Sequence, residues 1–304
     1  MMGSKSMKIL LLGRNGQIGW ELQRSLATVG QLVALERNSK IFCGDLRRPE
    51  DIAKTIQAIR PEIVVNAAAY TNVDQAEIES ELAYQINVKS VETMAKETAK
   101  INALLVHFSS DYVFDGAGSH FRSEDEKTGP LNVYGKTKLE GEIAIQQYNP
   151  RHFIFRTSWV YATRGHNFPK IIYQLATKGN DLSIVNDQYG APTSAELIAD
   201  CVAVALRQES IRNENFGTYH LVANGVTTWF DLTKFIINVL ENNGKILQAN
   251  FVNGVSSLEY PFKAVRPLNS RLNNNKIKET FNIEIPNWEV GVERMFQEFF
   301  ELNH

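Results

Sequence analysis

The 304 residues are 43% hydrophobic and 22% charged, an ordinary globular balance that allows one large α/β domain or a nucleotide domain with a smaller companion. A formal net charge of -2 excludes a general electrostatic case for nucleic acid or membrane surfaces, so an anionic ligand must be met by local donors. Cys43 and Cys201 are too few for a disulfide framework, and no stretch approaches the roughly 20 apolar residues of a bilayer span, so the cytoplasm is the expected compartment.

Residues 1–6 read as a start-site extension, with Met7 as the natural beginning. From there, continuous apolar runs at 8–12, 31–35, 63–66, 104–109 and 153–157 read as buried parallel strands. Helix-like segments lie between them at 18–28, 49–59, 80–100 and 123–148. Pro49 stands where a helix can begin, and Pro61 where one must already have ended. This alternation predicts a Rossmann-type, doubly wound parallel sheet with its ligand at the carboxyl ends of the strands. The nucleotide domain is expected over 7–160, with part of 190–225 returning to it. Residues 161–304 would mainly form a smaller, partly interleaved substrate-binding lobe. Asn- and Gly-rich loops are expected at 242–254 and 269–275, and a last helix at 290–302.

The first strand runs into Gly13-Arg14-Asn15-Gly16-Gln17-Ile18-Gly19 and then a helix. A glycine turn feeding a helix N-terminus offers backbone N–H groups and a favourable dipole to a pyrophosphate. The GxxGxxG spacing is one residue wider than the GxGxxG fingerprint, and its position between strand and helix is what points to a dinucleotide. After the second strand, Glu36 suits the ribose hydroxyls of NAD, while Arg37 and Arg14 are placed to answer the 2′-phosphate of NADP. The choice between NADH and NADPH stays open. Asp45, in Gly44-Asp45-Leu46 after a short strand, either bonds the adenine edge or caps the helix near Pro49. Small residues at Ala67, Ala68 and Ala69 would let a flat cofactor approach the backbone, or would serve tight strand–helix packing.

Ser110 and Asp111 close a strand, so their side chains should emerge at the ligand face. Tyr134 and Lys138 are four apart, on one face of a helix. An ammonium beside a phenol favours the phenolate, which would tune Tyr134 to protonate a carbonyl oxygen as hydride reaches its carbon. Ser110 would hydrogen-bond the same oxygen. A Tyr-Lys pair is common by chance; its order after a glycine loop and a serine-bearing strand end gives it weight.

Beyond this logic the chain resembles the extended short-chain dehydrogenase/reductase superfamily and, within it, the dTDP-4-dehydrorhamnose reductase family, from Met7 to its end. The resemblance is carried by GRNGQIGWELQ at 13–23, CGDL at 43–46, VNAAAYTNVDQAE at 65–77, SSDYVFDG at 109–116, LNVYGKTKLEGE at 131–142, FRTSWVY at 155–161 and NDQYGAPT at 186–193. It implies NADPH- or NADH-dependent reduction of the C4 ketone of dTDP-4-dehydro-6-deoxy-L-mannose to dTDP-L-rhamnose. Ser110, Tyr134 and Lys138 would be catalytic. Gly16, Gln17, Ile18, Glu36, Asp45, Leu46, Ala69, Tyr70 and Thr71 would contact the cofactor, and Asp111 and Trp159 the sugar nucleotide. The resemblance also implies a homodimer with Mg²⁺ at Glu21, Glu196 and Glu298, positions that read equally well as three surface acids. A dehydratase of the same superfamily needs a carboxylate base after Asp111, where Tyr112 stands. An epimerase, and a non-catalytic NADP-binding subunit like the regulatory subunit of methionine adenosyltransferase, are the remaining alternatives.

Overall fold

A computed structural model describes residues 7–179, 181–208, 215–248 and 252–302. The extension at 1–6, and part of the loop expected at 242–254, lie outside the described residues. In chain order, β1 (Lys8–Leu12), α1 (Gln17–Leu26), β2 (Gln31–Leu35), α2 (Pro49–Ile59), β3 (Ile63–Asn66), α3 (Val73–Ala76) and α4 (Ser80–Tyr84) come first. A π-helical turn (Gln85–Lys89) joins α4 to α5 (Ser90–Lys100), followed by β4 (Leu104–Ser110) and a 3-10 turn (Asp111–Val113). Then come α6 (Val133–Tyr148), β5 (His152–Thr157), β6 (Val160–Tyr161), α7 (Phe168–Thr177), β7 (Leu182–Val185), β8 (Tyr189–Gly190), β9 (Thr193–Ser194) and α8 (Ala195–Arg207). The chain continues through β10 (Gly217–His220), β11 (Thr227–Thr228), α9 (Trp229–Asn242), β12 (Val252–Val255), α10 (Asn275–Phe281) and α11 (Trp288–Glu301).

The central sheet has the order β10-β5-β4-β3-β1-β2 with every pair parallel. The chain winds outward from β1 to β2, then crosses back to β3 on the other side, so the order reverses between β1 and β3. A crevice opens at such a reversal, beyond the carboxyl ends of the strands. Alternate strand residues feed two cores. Ile9, Leu11, Val65, Val106 and Phe155 pack with Leu22, Ile198 and Val202 on one face. Leu10, Leu12, Val64, Leu105 and Ile154 pack with Ile52, Ile56 and Met94 on the other. A third core gathers Tyr161, Ile172, Leu232, Ile236, Trp288, Val292 and Phe296.

Three sequence expectations are corrected. The stretch ahead of Gly44 forms no strand, because Cys43 is tied to Thr55 of α2 rather than to a neighbouring strand. The helix expected from 123 begins only at Val133: Gly129 and Pro130 interrupt it, and Asn132 caps it by accepting the Gly135 N–H at 2.8 Å. Between 242 and 254, β12 pairs in parallel with β7, so that segment is not all loop.

Candidate active site

The crevice is a cleft of about 800 Å³. Its floor at the β1 end is the glycine turn. Gly13 has φ +87°, and a Cβ there would lie 2.7 Å from Ala68 N, so only glycine lets the turn press against the end of β3. Gly16 precedes α1 with no side chain closing over the first turn, which leaves that helix end open to an anion. Gly19 does not line the cleft. A Cβ there would meet Gly13 O at 2.0 Å, so it permits the turn to seat on α1.

Gly13, Gly16, Gln17, Ile18, Glu36, Asp45, Leu46, Ala69 and Thr71 all line the cleft, and Arg37 and Asn38 stand with them. Glu36 takes a hydrogen bond from Asn15 and an ion pair from Arg14 at 3.5 Å. Asp45 pairs with Arg47 at 2.6 Å, and that bond holds its carboxyl below the usual range. It does not cap α2, whose N-cap is Arg48 with no side-chain bond. Tyr70 is outside the lining. Its N–H donates to Asn87 Oδ1 at 2.9 Å and its carbonyl accepts from Asn87 Nδ2 at 3.1 Å. Asn87 sits on the π-helical turn and also donates to Thr137 of α6 at 3.1 Å, so one amide braces the β3 exit against the Tyr134 helix.

At the centre of the cleft, β4, the 3-10 turn after it and α6 bring Ser110, Asp111, Tyr134 and Lys138 together. Tyr134 is half-buried, and the Ser110 hydroxyl is the neighbour that favours its phenolate. Ser110 Oγ donates to Asp111 Oδ1 at 2.9 Å and accepts the Tyr112 N–H at 3.2 Å. Ser270 donates to the other Asp111 oxygen. Burial raises Asp111 to about 6 against the lowering hydrogen bonds of the two serines. Lys138 is 2% exposed and donates to Phe108 O at 2.6 Å. Burial lowers it to about 8, with Glu142 opposing. The expected lowering of the Tyr134 phenol by Lys138 is not what dominates. Burial pushes that phenol up, so it stands as a neutral O–H, the form an acid catalyst needs.

The opposite side of the cleft carries Trp159, with φ +50° and its ring stacked on Trp229 at 3.7 Å between centroids. Both line the cleft. Trp229 Nε1 donates to Gln188 Oε1 at 3.1 Å, and Gly190 is small because a Cβ there would meet Trp159 Cε2 at 2.8 Å. Trp229 and Ser270 had no local signal in the sequence; only tertiary contact reveals them. The GAPT motif that follows Gln188 was the nearest available pointer.

Glu21, Glu196 and Glu298 lie in one region, close enough that the charges of Glu21 and Glu298 add to burial in raising Glu196. Each has its own partner: Arg24 at 3.4 Å, Arg294 at 3.2 Å and Thr163 at 2.9 Å respectively. Among the described residues no three His, Cys, Asp or Glu form a group that could hold a metal. No described helix is long and apolar enough to cross a membrane.

A family model for the RmlD substrate binding domain matches residues 7–301. The chain belongs to that family. Similar members include the dTDP-4-dehydrorhamnose reductase of Salmonella typhimurium, 51% identical over 97% of this chain and 98% of that protein. The enzyme of the same name from Burkholderia thailandensis is 41% identical over 94% and 97%. Among solved structures, the dTDP-4-dehydrorhamnose reductase of Bacillus anthracis in complex with NADP is similar at a TM-score of 0.87, with 31% identity over 96% of this chain and 99% of that one. The UDP-glucose 4-epimerase of Thermotoga maritima shares the fold at a TM-score of 0.80 and 16% identity.

Proposed function

We propose that the protein reduces the C4 ketone of dTDP-4-dehydro-6-deoxy-L-mannose to dTDP-L-rhamnose, with NADPH as the working cofactor and NADH as an alternative. The observation that carries this reading is the convergence of Ser110, Tyr134 and Lys138 in the same cleft as the glycine turn. The cleft fits a nicotinamide dinucleotide: an open helix end for the pyrophosphate, small residues at 67–69, and Arg37 with Asn38 where β2 ends. Glu36 is already engaged by Arg14 and Asn15, which favours a 2′-phosphate answered by Arg37 over a bare ribose. The dinucleotide supplies the hydride when bound.

The chain's own groups do the rest. Ser110 holds the ketone oxygen, and the neutral Tyr134 hydroxyl gives it a proton as negative charge develops there. Lys138 offers a positive charge beneath that event while it is protonated. Where a dehydratase would need a carboxylate base, Tyr112 presents a phenol raised to about 12 by burial, its ring 5.6 Å from that of Tyr134. A neutral phenol cannot abstract the proton that elimination requires, so net reduction is favoured.

Residues 161–304, with the Trp159–Trp229 pair, would form most of the substrate side, while β10 and α8 complete the nucleotide side. Pairing of two copies belongs to the same proposal. Glu196 is raised by burial and, in smaller part, by Glu21 and Glu298, and a cation such as Mg²⁺ supplied at a contact between copies would relieve the repulsion among the three acids. No step of the reduction is assigned to it. The test is absorbance at 340 nm with the protein, NADPH or NADH, and dTDP-4-dehydro-6-deoxy-L-mannose made in situ. Substrate-dependent oxidation is expected; its absence with both cofactors, with Mg²⁺ present, overturns the reading.

A further inference from the structure

His107 on β4 is a buried titratable group for which the reduction described above has no use. It is 1% exposed and outside the cleft lining, yet both ring nitrogens have partners. Nε2 lies 3.2 Å from Lys138 Nζ, and Nδ1 lies 3.1 Å from Asn66 Nδ2. The parallel register of β3 and β4 sets Asn66 directly beside His107, so the contact is built into the sheet.

Counting hydrogens decides how the cluster is wired. Asn66 Oδ1 accepts the Ala68 N–H at 3.2 Å, which turns the amide NH₂ toward Nδ1. A neutral imidazole has one N–H. With Nδ1 accepting, that hydrogen sits on Nε2 and points at Lys138. The free amine of Lys138 can accept it and still donate to Phe108 O, whereas the ammonium would oppose it donor to donor. We infer that His107, oriented by Asn66, is a positioning residue for Lys138 that favours the uncharged amine and so sets the pH at which the Tyr134–Lys138 pair changes protonation state. The inference rests on the reductase reading, because it acts through Lys138.

The surrounding charges are consistent with it. Burial holds His107 well below the usual imidazole range, with Lys138 adding to the effect, so the ring stays neutral. Glu142 of α6 faces Lys138 and opposes its lowering, but Arg156 of β5 shares that carboxylate at 2.7 Å. β3 presents only the uncharged Asn66, and Asp111 beyond β4 faces Tyr134. The Tyr134 phenolate left by reduction regains its proton from solvent; Lys138 lends that step a positive charge only while it is protonated, and His107 sets the pH at which the charge is lost.

The test compares the pH profile of kcat for the wild type, His107→Leu, Asn66→Asp and the double variant, alongside the long-range proton–nitrogen imidazole spectrum of the wild type. An aspartate at 66 accepts from Nδ1–H, moves the hydrogen off Nε2 and turns that nitrogen into an acceptor for the ammonium. Each single variant should move the alkaline limb up by about one pH unit. The double variant should move it no further than His107→Leu, and the spectrum should place the hydrogen on Nε2. NADPH binding to His107→Leu, followed by its fluorescence, should stay within about threefold, a change worth less than 1 kcal/mol. An alkaline limb unmoved in both single variants, a further rise in the double variant, or a hydrogen on Nδ1 would overturn the inference. Should His107→Leu fail to fold, Asn66→Asp and the spectrum still decide. A wild type without NADPH oxidation would defeat the reductase reading instead, and the spectrum would still test the wiring.

Discussion

Asp111 and Tyr134 both sit in the cleft, both are raised by burial, and the consequences differ. For Tyr134 the neutral form is the working one. Tyr134→Phe should therefore lower kcat by about 10²–10⁴-fold while NADPH affinity holds, since only a transition-state proton donor is lost. Steady-state kinetics beside a fluorescence titration check this. For Asp111 the raised value is a stability cost. Its folded value of about 6 exceeds the ordinary carboxylate value of 3.8, so stability is greatest below 3.8 and falls as pH rises through about 6. Asp111→Asn should raise the melting temperature at pH 8 relative to wild type and leave it nearly unchanged near pH 4, whatever it does to substrate affinity. Arg37 lines the cleft just beyond β2, where the proposed function puts the 2′-phosphate of NADPH. Arg37→Ala should weaken NADPH by about ten- to a hundredfold and NADH little, because one charged hydrogen-bond partner of a phosphate is worth about 1.5–3 kcal/mol. Equal loss for both cofactors would remove Arg37 from the 2′-phosphate role.

α6 is the element on which the site depends, and its surroundings leave it little freedom. A Cβ at Gly135 would lie 2.3 Å from Tyr112 O, and one at Gly141 would lie 2.5 Å from Asn87 O. Both faces of the helix thus meet backbone, which yields less readily than a side chain. Gly141→Ala should cost about 1–3 kcal/mol in a denaturant titration by forcing the helix off the π-helical turn. Most of the parallel strands were legible in the sequence because burial on both faces demands continuous apolar runs, as at 8–12 and 63–66. Pro49 marked its helix start for an equally local reason. The late start of α6 was missed because helix-forming composition outweighed Gly129 and Pro130 in the reading. At the site, Ser110, Tyr134 and Lys138 were legible as spacing on single elements. Trp229 and His107 were not, since a stack across the cleft and a bond between neighbouring strands leave no trace in local sequence.

At the scale of the whole molecule, burial depresses three histidines: His107, His152 and His220, the last to about 3. Each is neutral when folded below its ordinary value, so the unfolded chain takes up more protons as pH drops beneath about 6.5, and the stability present above that pH is progressively lost. Thermal melts from pH 8 to pH 5 should show a falling midpoint over this window, and His220→Phe should flatten it. Asp111 works in the opposite direction over the lower part of the range. The long-range ties also differ in kind from the sheet. Asp74 of α3 accepts the N–H groups of Lys263 and Ala264 and pairs with Arg266 at 2.8 Å. Asn132 donates to Val265 O at 2.8 Å, and Ser270 closes onto Asp111. During synthesis, then, a ribosome that has delivered β4 and α6 has still not delivered residues 263–270, which answer Asp74, Asn132 and one oxygen of Asp111. The sheet can pair before that segment emerges, whereas the surroundings of Asp111 and α6 are completed only by a later part of the chain.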